Sequence, residues 1–267
     1  MKKNIAFWSY GTHLKKKVIP SIWKNKNIIP KAILSKKKKE INELRKEISK
    51  SYNSKHSLNE IKSWYKNIIK KSNTKVKKIA LSDCRNWKFT NQSISHKSNK
   101  FFKVEALRVT TSYKREINRG WDQPILTEPR FKGGILCLLR KKINGTPHYL
   151  INAKFEPGNY RMIQLSPTLQ ATFSNISKAH KGNSPRFLKY FINPKKNNCN
   201  IIFKQWFSEE GGRLRNKRNL GILVNHKTKE KINIDEDFKW LTLRQIKELI
   251  FEDAMVNPHL RGLVSFI

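Results

Sequence analysis

Four polar clusters in the sequence carry side chains suited to acid–base chemistry and to holding a phosphorylated ligand. They cover residues 121–124, 154–159, 164–175 and 208–219. Carboxylates such as those of Glu156 and Glu209 can take up and return a proton. Guanidinium and ammonium groups, which crowd the last cluster, match phosphate oxygens. Amides and hydroxyls fill the rest, and these side chains suit the oxygens of a sugar.

The elements that must position these clusters are a mixture of strands and helices. Apolar patterning predicts strands at residues 101–109, 135–143, 148–155, 201–207 and 220–225. Asn144-Gly145 between the second and third predicts a tight hairpin turn. We therefore expect an α+β domain over residues 56–267, with a strongly bent mixed sheet and flanking helices.

Two capping boxes mark helices of this domain. Ser57 with Glu60 begins one, and Thr242 with Gln245 begins the other. Apolar residues follow each box at helical spacing and predict one buried face per helix. They are Leu58, Ile61, Trp64, Tyr65, Ile68 and Ile69 in the first helix, and Leu243, Ile246, Leu249 and Ile250 in the second.

The polar clusters also resemble a known family. Together with Phe101-Phe102, residues 240–243 and Val256-Asn257-Pro258, they resemble the NDP-hexose 2,3-dehydratases over roughly residues 57–267. Glu156-Pro157-Gly158-Asn159 and the run from Pro167 to Asn175 carry most of the likeness. The resemblance implies action on dTDP-4-keto-6-deoxyglucose and a fold similar to that of Nudix hydrolases. It also implies a downstream NADPH-dependent 3-ketoreductase as pathway partner.

The sequence departs from the family pattern in three places. Family members usually carry two such modules in tandem, whereas this chain has one, so we expect a homodimer. The usual Ser-Glu-Gln-Gly is here Ser208-Glu209-Glu210-Gly211, and the usual Thr-Val-Leu-Ser is Gly262-Leu263-Val264-Ser265. No Arg-Glu-x-x-x-Glu-Glu run is found, which argues against Nudix-type hydrolysis.

The implied reaction is an elimination of water. A 4-keto group acidifies the hydrogen on carbon 3, a base removes it, and a donor stabilises the enolate. A general acid then helps the carbon 2 hydroxyl to leave. Because no hydride moves, we expect no nicotinamide cofactor. The scattered histidines and cysteines offer no metal-ligand spacing, so we expect no metal either.

We assign roles to the cluster residues as hypotheses. Glu156 is the first candidate for the acid–base carboxylate and Glu209 the second, with Tyr160 and His148 as further proton carriers. Glu156 could instead cap the following turn, and Glu209 could pair with Arg213. The substrate-binding candidates are Trp121, Asp122, Gln123, Lys154, Asn159, Gln164, Gln170, Thr172, Ser174, Asn175, Arg213, Arg215, Lys217, Arg218 and Asn219.

The basic candidates among these form one group. Arg213, Arg215, Lys217 and Arg218 are assigned to the pyrophosphate. If residues 213–218 form a strand, alternation puts the first three on one face. The structural alternative for these basic residues is a solvated edge. The alternative for the candidate amides and hydroxyls is a hydrogen-bonded turn network.

The N-terminal residues 1–55 read as a separate basic appendage. A strand at 4–10, a helix at 13–24 and a strand at 28–34 resemble the opening of the glucose–fructose oxidoreductase family. Gly11 stands alone where a dinucleotide site needs G-x-G-x-x-G, so we expect no NAD(P) site. Lys36 to Lys39 then open an exposed helical linker.

The net charge of +38 favours an anionic partner. Lysine, asparagine and isoleucine all have A/T-rich codons, however, so genome composition also explains it. A nucleic-acid-binding basic module remains an alternative function, and a steep salt dependence of RNA or DNA binding would identify it. A non-catalytic partner of an active dehydratase module is a third.

The remaining features bear on location. Cys84, Cys137 and Cys199 are far apart and odd in number, which favours free thiols over disulfides. No apolar run approaches the ~18 residues that a membrane span requires. We therefore expect a cytoplasmic protein with no membrane partner and no specific nucleic acid.

Overall fold

A computed structural model describes residues 3–5, 28–30, 47, 53–112, 119–129 and 133–267. Within them, strand β7, Gly134–Ile143, runs through the middle of a seven-stranded sheet. The other strands of this sheet are β8 (Thr146–Phe155), β9 (Ile163–Ser166), β10 (Leu169–Thr172), β11 (Cys199–Ser208), β12 (Arg218–His226) and β13 (Phe238–Leu241).

One edge of β7 changes partner along its length. Residues 134–137 pair with β10, whereas residues 139–143 pair with β8, both antiparallel. The other edge pairs in parallel with β12. This exchange of partners bends the sheet. The predicted α+β class with a bent mixed sheet and flanking helices is confirmed.

The hairpin between β7 and β8 turns at Asn144 and Gly145, whose φ angles are 49° and 80°. Asparagine and glycine tolerate this left-handed region, which a type I′ turn requires at both positions. The predicted hairpin is therefore confirmed, and so are strands over Lys103–Val109, Cys199–Ser208 and Arg218–His226.

Helices α1 (Leu58–Lys71), α4 (Leu243–Leu249) and α5 (Pro258–Val264) cover one face of this sheet. Both capping boxes are present, at Ser57 with Glu60 and at Thr242 with Gln245. The core on this face includes Ile61, Leu138, Leu165, Leu243 and Leu260. Even so, Ile69 on the predicted apolar face of α1 is 40 % exposed.

The opposite face carries a second apolar core. The short helix α3 (Lys189–Ile192) and the segment before β13 cover it, with Cys137, Leu139, Val224 and Phe191 at its centre. The remaining short helix, α2 (Phe173–Ile176), follows β10 directly. The sheet is thus buried on both faces, which explains why β7 and β12 read as nearly continuous apolar runs.

A separate four-stranded antiparallel sheet lies beside the larger one. Its strands are β3 (Trp87–Phe89), β4 (Ile94–His96), β5 (Lys103–Val109) and β6 (Trp121–Thr127), paired in chain order. The loop between β11 and β12 joins the two sheets, because Leu126 exchanges backbone hydrogen bonds with Arg213 and Arg215 at 2.9 Å each.

Few residues of the N-terminal appendage are described. Strands β1 (Lys3–Ile5) and β2 (Ile28–Pro30) pair in parallel. The predicted helix at 13–24 and Gly11 lie outside the described residues. Glu47 is only 4 % exposed and accepts hydrogen bonds from Arg140 and from Tyr149 Oη, the latter at 2.8 Å. The predicted exposed linker is therefore wrong at this residue, since Glu47 packs into the domain.

Candidate active site

The site lies at one end of β7, where Gly134 places no side chain on the sheet. Gly134 pairs with Thr172 on one side and with Asn219 on the other. A Cβ at Gly134 would lie 2.4 Å from the carbonyl oxygen of Ala171, so a side chain does not fit. Residues paired across a sheet present their side chains on the same face. Thr172 and Asn219 therefore lie on one face, the face that α5 covers further along.

Glu156 lies at this end of the sheet and is held by two donors. Its Oε1 accepts hydrogen bonds from Lys154 Nζ and Gln170 Nε2, each at 3.0 Å. The Glu156 side chain is 33 % exposed and the Lys154 side chain 29 % exposed. The ammonium and the amide both lie on Oε1 and so orient the half-buried carboxylate. This geometry suits proton exchange with a bound ligand.

Gln170 is in turn fixed by Asn257, the N-cap residue of α5. Asn257 Nδ2 donates to Gln170 Oε1 at 2.9 Å and to Ser166 Oγ at 3.0 Å. Asn257 Oδ1 accepts the backbone N–H of Leu260 at 2.8 Å, as an N-cap does. The helix cap sets the orientation of the Asn257 amide, and the amide sets that of Gln170.

A second carboxylate approaches the same helix turn. Glu209 Oε1 accepts a hydrogen bond from His259 Nε2 at 3.0 Å and another from Asn219 Nδ2. The side chains of His259 and Glu209 are 28 % and 18 % exposed. The hydrogen bond from His259 lowers the pKa of Glu209, although burial opposes it, and Lys217 lowers it further. Glu209 is therefore an ionised acceptor at neutral pH.

A cavity of about 230 Å³ opens next to Thr172, between the two sheets. Thr172 Oγ1 and Ser174 Oγ share a hydrogen bond of 2.7 Å on its wall. The residues that line it are Lys100, Phe101, Phe102, Glu128, Pro129, Thr172, Ser174 and Asn175. Aromatic faces, hydroxyls and an amide in one cleft suit a ring with polar substituents.

Glu128, which lines this cavity, forms a buried ion pair with Lys217. Lys217 Nζ lies 2.8 Å from Glu128 Oε1, with both side chains 9 % exposed. Lys217 also stands over the Phe102 ring, 4.3 Å from its centre. Glu128 accepts the backbone N–H of Gly133 with its other oxygen. The pair fixes the loop that carries Lys217 against the smaller sheet.

The structure brings together about half of the predicted site residues. Those in or beside the site are Lys154, Glu156, Gln170, Thr172, Ser174, Asn175, Glu209, Lys217 and Asn219. Gln164 instead donates to the Ala254 carbonyl at 2.7 Å and is 7 % exposed, so it ties the β9 segment to the chain before α5. Tyr160 is 85 % exposed, and Asn159 closes the turn after Glu156. His148 is buried and holds backbone groups of Lys55 and Thr146.

The first cluster lies along β6, away from the cavity contacts. Asp122 forms a two-pronged ion pair with Arg108 on the surface, at 2.9 and 2.8 Å. Trp121 Nε1 donates to Gln123 Oε1, and Gln123 Nε2 donates to the Gly212 carbonyl at 2.7 Å. These two side chains brace the loop between β11 and β12.

Residues 213–218 do not form the strand that would place Arg213, Arg215 and Lys217 on one face. Residues 213–217 form turns around a single bridge at Leu214, and β12 begins at Arg218. Arg213, 75 % exposed, pairs with Glu210, while Arg218 stacks on the Trp206 ring. Only Lys217 turns inward to the cavity wall. The predicted alternative pairing of Glu209 with Arg213 is also wrong, because Glu210 takes that role.

The residues at the site that had no predicted site role include Lys100, Glu128, Asn257 and His259. All four lie outside the four polar clusters. The signal for His259 was present, because Asn257-Pro258 is a helix start that places the next residue in the first turn. For Glu128 no local signal exists, since its partner lies 89 residues away.

Two absences apply to the described residues only. They contain no group of three or more His, Cys, Asp or Glu side chains that would hold a metal ion. They also contain no helix of the length and apolarity that a bilayer crossing needs.

Comparison with known proteins identifies the domain that carries this site. A family model described as NDP-hexose 2,3-dehydratase matches residues 58–267. The chain belongs to the NDP-hexose 2,3-dehydratase family. The match contains α1 and both polar networks, and it begins two residues after the predicted domain start.

Three relatives are named dTDP-4-dehydro-6-deoxy-alpha-D-glucopyranose 2,3-dehydratase. Those from Saccharopolyspora spinosa and Amycolatopsis orientalis are 35 % and 36 % identical over 76 % and 71 % of this chain. The one from Streptomyces violaceoruber is 35 % identical over 72 % of it. These matches cover 41 %, 40 % and 42 % of the relatives, so the chain spans about two fifths of their length.

Solved structures similar to this family domain include two kinds of hydrolase. An ADP compounds hydrolase aligns with a TM-score of 0.39 and 10 % identity, over 62 % of this chain and 83 % of its own. A C. elegans Ap4A hydrolase aligns with a TM-score of 0.29 and 13 % identity, over 50 % of this chain and 95 % of its own. At these scores neither similarity bears on the function.

Proposed function

We propose that the chain is a sugar-nucleotide 2,3-dehydratase that removes water across carbons 2 and 3 of dTDP-4-keto-6-deoxyglucose. The observation that carries the proposal is the Glu156 network, in a domain of the dehydratase family. Lys154 and Gln170 hold this carboxylate at 3.0 Å each, at the end of the sheet where the cavity opens. The named relatives support the substrate class.

Glu156 acts as the base in this proposal. The ketone at carbon 4 acidifies the hydrogen on carbon 3, and the carboxylate removes it. The Lys154 ammonium and the Gln170 amide lie on one carboxylate oxygen and orient the Glu156 side chain. The enolate that forms then expels the hydroxyl of carbon 2. No hydride moves in this step, so the chain's own residues suffice for it.

The cavity next to Thr172 is the proposed place for the sugar. The Thr172 and Ser174 hydroxyls and the Asn175 amide line it and supply donors to sugar oxygens and to the developing enolate. Lys100 lines the same cavity and supplies positive charge for the pyrophosphate. Arg213 and Arg215 lie on the adjoining loop, where they can contact the nucleotide end.

The partners follow from the same proposal. The 2,3-dehydrated product is an enol of a 3,4-diketone, so a NADPH-dependent 3-ketoreductase is the class of enzyme that consumes it. A homodimer is also proposed, with the Phe251 side chain, which is 91 % exposed, in the contact between the two copies. A cytoplasmic location would bring the chain together with a dTDP-sugar and NADPH.

A coupled assay tests the function. The purified chain is incubated with dTDP-4-keto-6-deoxyglucose, a 3-ketoreductase and NADPH, and NADPH oxidation and the sugar product are followed. We expect turnover with the wild type and with Glu236→Gln, a surface control whose partner is Lys71. Glu156→Gln should lower turnover by about a hundredfold or more, the usual contribution of a general base. Absence of product with the wild type, under conditions where a dehydratase relative turns over, would overturn the proposal.

A further inference from the structure

We propose that His259 is the general acid that protonates the departing carbon 2 hydroxyl, and that Glu209 is its positioning residue. The inference rests on the proposed dehydratase function and deepens it. It changes the role of Glu209 from acid–base carboxylate to holder of a histidine.

The local geometry fixes His259 in one orientation. Asn257 caps α5 and Pro258 occupies its first turn, so the backbone before His259 is rigid. His259 Nε2 contacts Glu209 Oε1 at 3.0 Å. Glu209 is itself fixed by Asn219 Nδ2 and by its backbone N–H, which donates to the Lys217 carbonyl at 3.0 Å.

The other ring nitrogen of His259 faces a different direction. Within the described part of the chain, its Nδ1 makes no hydrogen bond, and the side chain is 28 % exposed. An imidazole bound to a carboxylate through one nitrogen presents the other to a substrate, as in histidine–carboxylate pairs generally. Nδ1 is thus the atom that gives up the proton.

Glu209 is the acceptor in this pair. The hydrogen bond from His259 lowers the pKa of Glu209, so this carboxylate is a poor proton donor. Lys217 is itself paired with Glu128, and Arg261 Nε is bound to the Val256 carbonyl. The contact with Glu209 at 3.0 Å is therefore the interaction that holds the His259 ring.

The candidate base and the candidate acid belong to two networks at the start of α5. Asn257, the N-cap residue, leads through Gln170 to Glu156, and His259, two residues later, leads to Glu209. Elimination across adjacent carbons needs one group to take the carbon 3 proton and another to protonate the leaving oxygen.

The proton and electron balance closes with these two groups. The C3–H bond breaks, its proton goes to Glu156, and its electron pair forms the C3=C4 enolate. The enolate restores the C4 ketone while the C3=C4 pair moves to C2=C3, and the C2–O bond breaks. The leaving oxygen takes the proton from His259 and departs as water. Solvent then carries the proton of Glu156 back to the neutral imidazole.

Deuterium exchange at carbon 3 separates the two roles. Loss of the acid should block departure of the hydroxyl but leave proton removal by Glu156 intact. In D2O, His259→Ala should therefore exchange the carbon 3 hydrogen within a few-fold of the wild-type rate of proton removal. Its elimination rate should fall by about a hundredfold or more. Glu156→Gln should lose both reactions, and the exposed His180→Ala should lose neither.

The exchange assay also tests the role of Glu209. Glu209→Gln removes the carboxylate that holds His259 Nε2 but leaves Glu156 and its partners in place. Carbon 3 exchange should therefore stay within a few-fold of the wild-type rate while the elimination rate falls. Equal loss of both reactions would contradict the positioning role.

The outcomes distinguish this inference from the proposed function. Exchange with blocked elimination in His259→Ala supports it. Full elimination, or equal loss of exchange and elimination, in a variant that binds the dTDP-sugar like the wild type overturns it. A wild type that shows no elimination contradicts the dehydratase function instead.

Discussion

Asn257 Nδ2 lies 2.9 Å from Gln170 Oε1 and so connects the cap of α5 to the side chain that orients Glu156. The same amide nitrogen also reaches Ser166, and the same residue caps the helix. The buried Asn257 side chain therefore both caps the helix and holds a side chain of the site. Changes in this chain of contacts should affect turnover before they affect the fold.

Gln170→Met is expected to lower turnover with little loss of stability. The side chain is half-buried and of similar length in methionine, but its amide no longer donates to Glu156 or accepts from Asn257. We expect a fall of about tenfold, the effect of one net hydrogen bond of ~1–1.5 kcal/mol. Steady-state kinetics with a thermal melt measures both.

Gln164→Met is the matched control for that variant. Gln164 lies in the same segment, is 7 % exposed and donates to the Ala254 carbonyl instead. Losing this part-buried hydrogen bond costs about 0.5–1.5 kcal/mol of stability. The control should therefore melt earlier while keeping its turnover per folded molecule. Equal kinetic effects in the two variants would contradict the assignment of Gln170 to the site.

Arg213→Ala is expected to weaken binding of the dTDP-sugar without unfolding the chain. Arg213 is 75 % exposed and pairs only with Glu210 among the described residues, so its structural contribution is small. If it contacts the pyrophosphate, losing a charge-assisted hydrogen bond of ~1.5–3 kcal/mol weakens binding about ten- to a hundredfold. Calorimetry with Lys204→Ala, an exposed lysine on β11, as control measures it. Unchanged affinity rules out the contact.

Glu47→Gln is expected to destabilise the whole domain. Its carboxylate receives hydrogen bonds from Arg140 and Tyr149, and the side chains of Arg140 and Glu47 are 9 % and 5 % exposed. Neutralising one partner of a buried pair leaves the other charge unpaired, at a cost of about 3–5 kcal/mol. Urea unfolding measures this, with the exposed helical pair residue Glu248→Gln as control. A loss no larger than the control's would show that the appendage does not stabilise the domain.

Light scattering at micromolar concentration tests the homodimer. We expect a mass of about twice the 31.5 kDa of one chain. Phe251→Ser, at a residue that is 91 % exposed, should shift the equilibrium toward monomers if that side chain lies in the contact. A mass near that of one chain at all concentrations would contradict the dimer.

Local signals in the sequence predicted the local features of the fold. The two capping boxes and the Asn144-Gly145 hairpin depend on residues within a few positions of each other, and each is confirmed. The site depends on distant contacts. Lys217 meets Glu128 across 89 residues, and His259 meets Glu209 across 50. Periodicity and spacing contain no information on such pairs.

The basic residues between β11 and β12 also show that local sequence does not determine tertiary contacts. A strand over residues 213–218 was the condition for placing Arg213, Arg215 and Lys217 on one face, yet residues 213–217 form a single bridge to β6, at Leu214. The sheet to which a segment attaches decides its conformation, and that attachment is a tertiary property. Glu156 and Gln170 were predicted as site residues because their two clusters, 154–159 and 164–175, are dense and polar beside apolar strands.

Buried His148 is expected to make stability fall as pH drops below about 6.5, the ordinary pKa of histidine. Its Nε2 accepts the backbone N–H of Lys55 at 2.9 Å, and Nδ1–H donates to the Thr146 carbonyl at 2.8 Å. Burial lowers the pKa of His148, and nearby Lys55 lowers it further while the Thr146 carbonyl opposes the shift. The native state therefore holds this ring neutral. Protonating Nε2 would remove the acceptor that fixes the chain at the start of the domain.

The sign follows from proton linkage. The unfolded chain binds a proton at a higher pH than the native one, so the contribution of His148 is complete above the unfolded pKa. It is lost as pH falls through the folded pKa, by up to ~1.4 kcal/mol per pH unit. The pKa values of His56 and His226 are lowered too, mainly by burial. His148→Gln should therefore reduce, but not remove, the slope of the free energy of unfolding against pH. Urea unfolding between pH 5 and pH 8 (roughly the range of histidine titration) measures the slope. The exposed His180→Gln should leave the slope unchanged, and a wild-type slope in His148→Gln would show that another group titrates in its place.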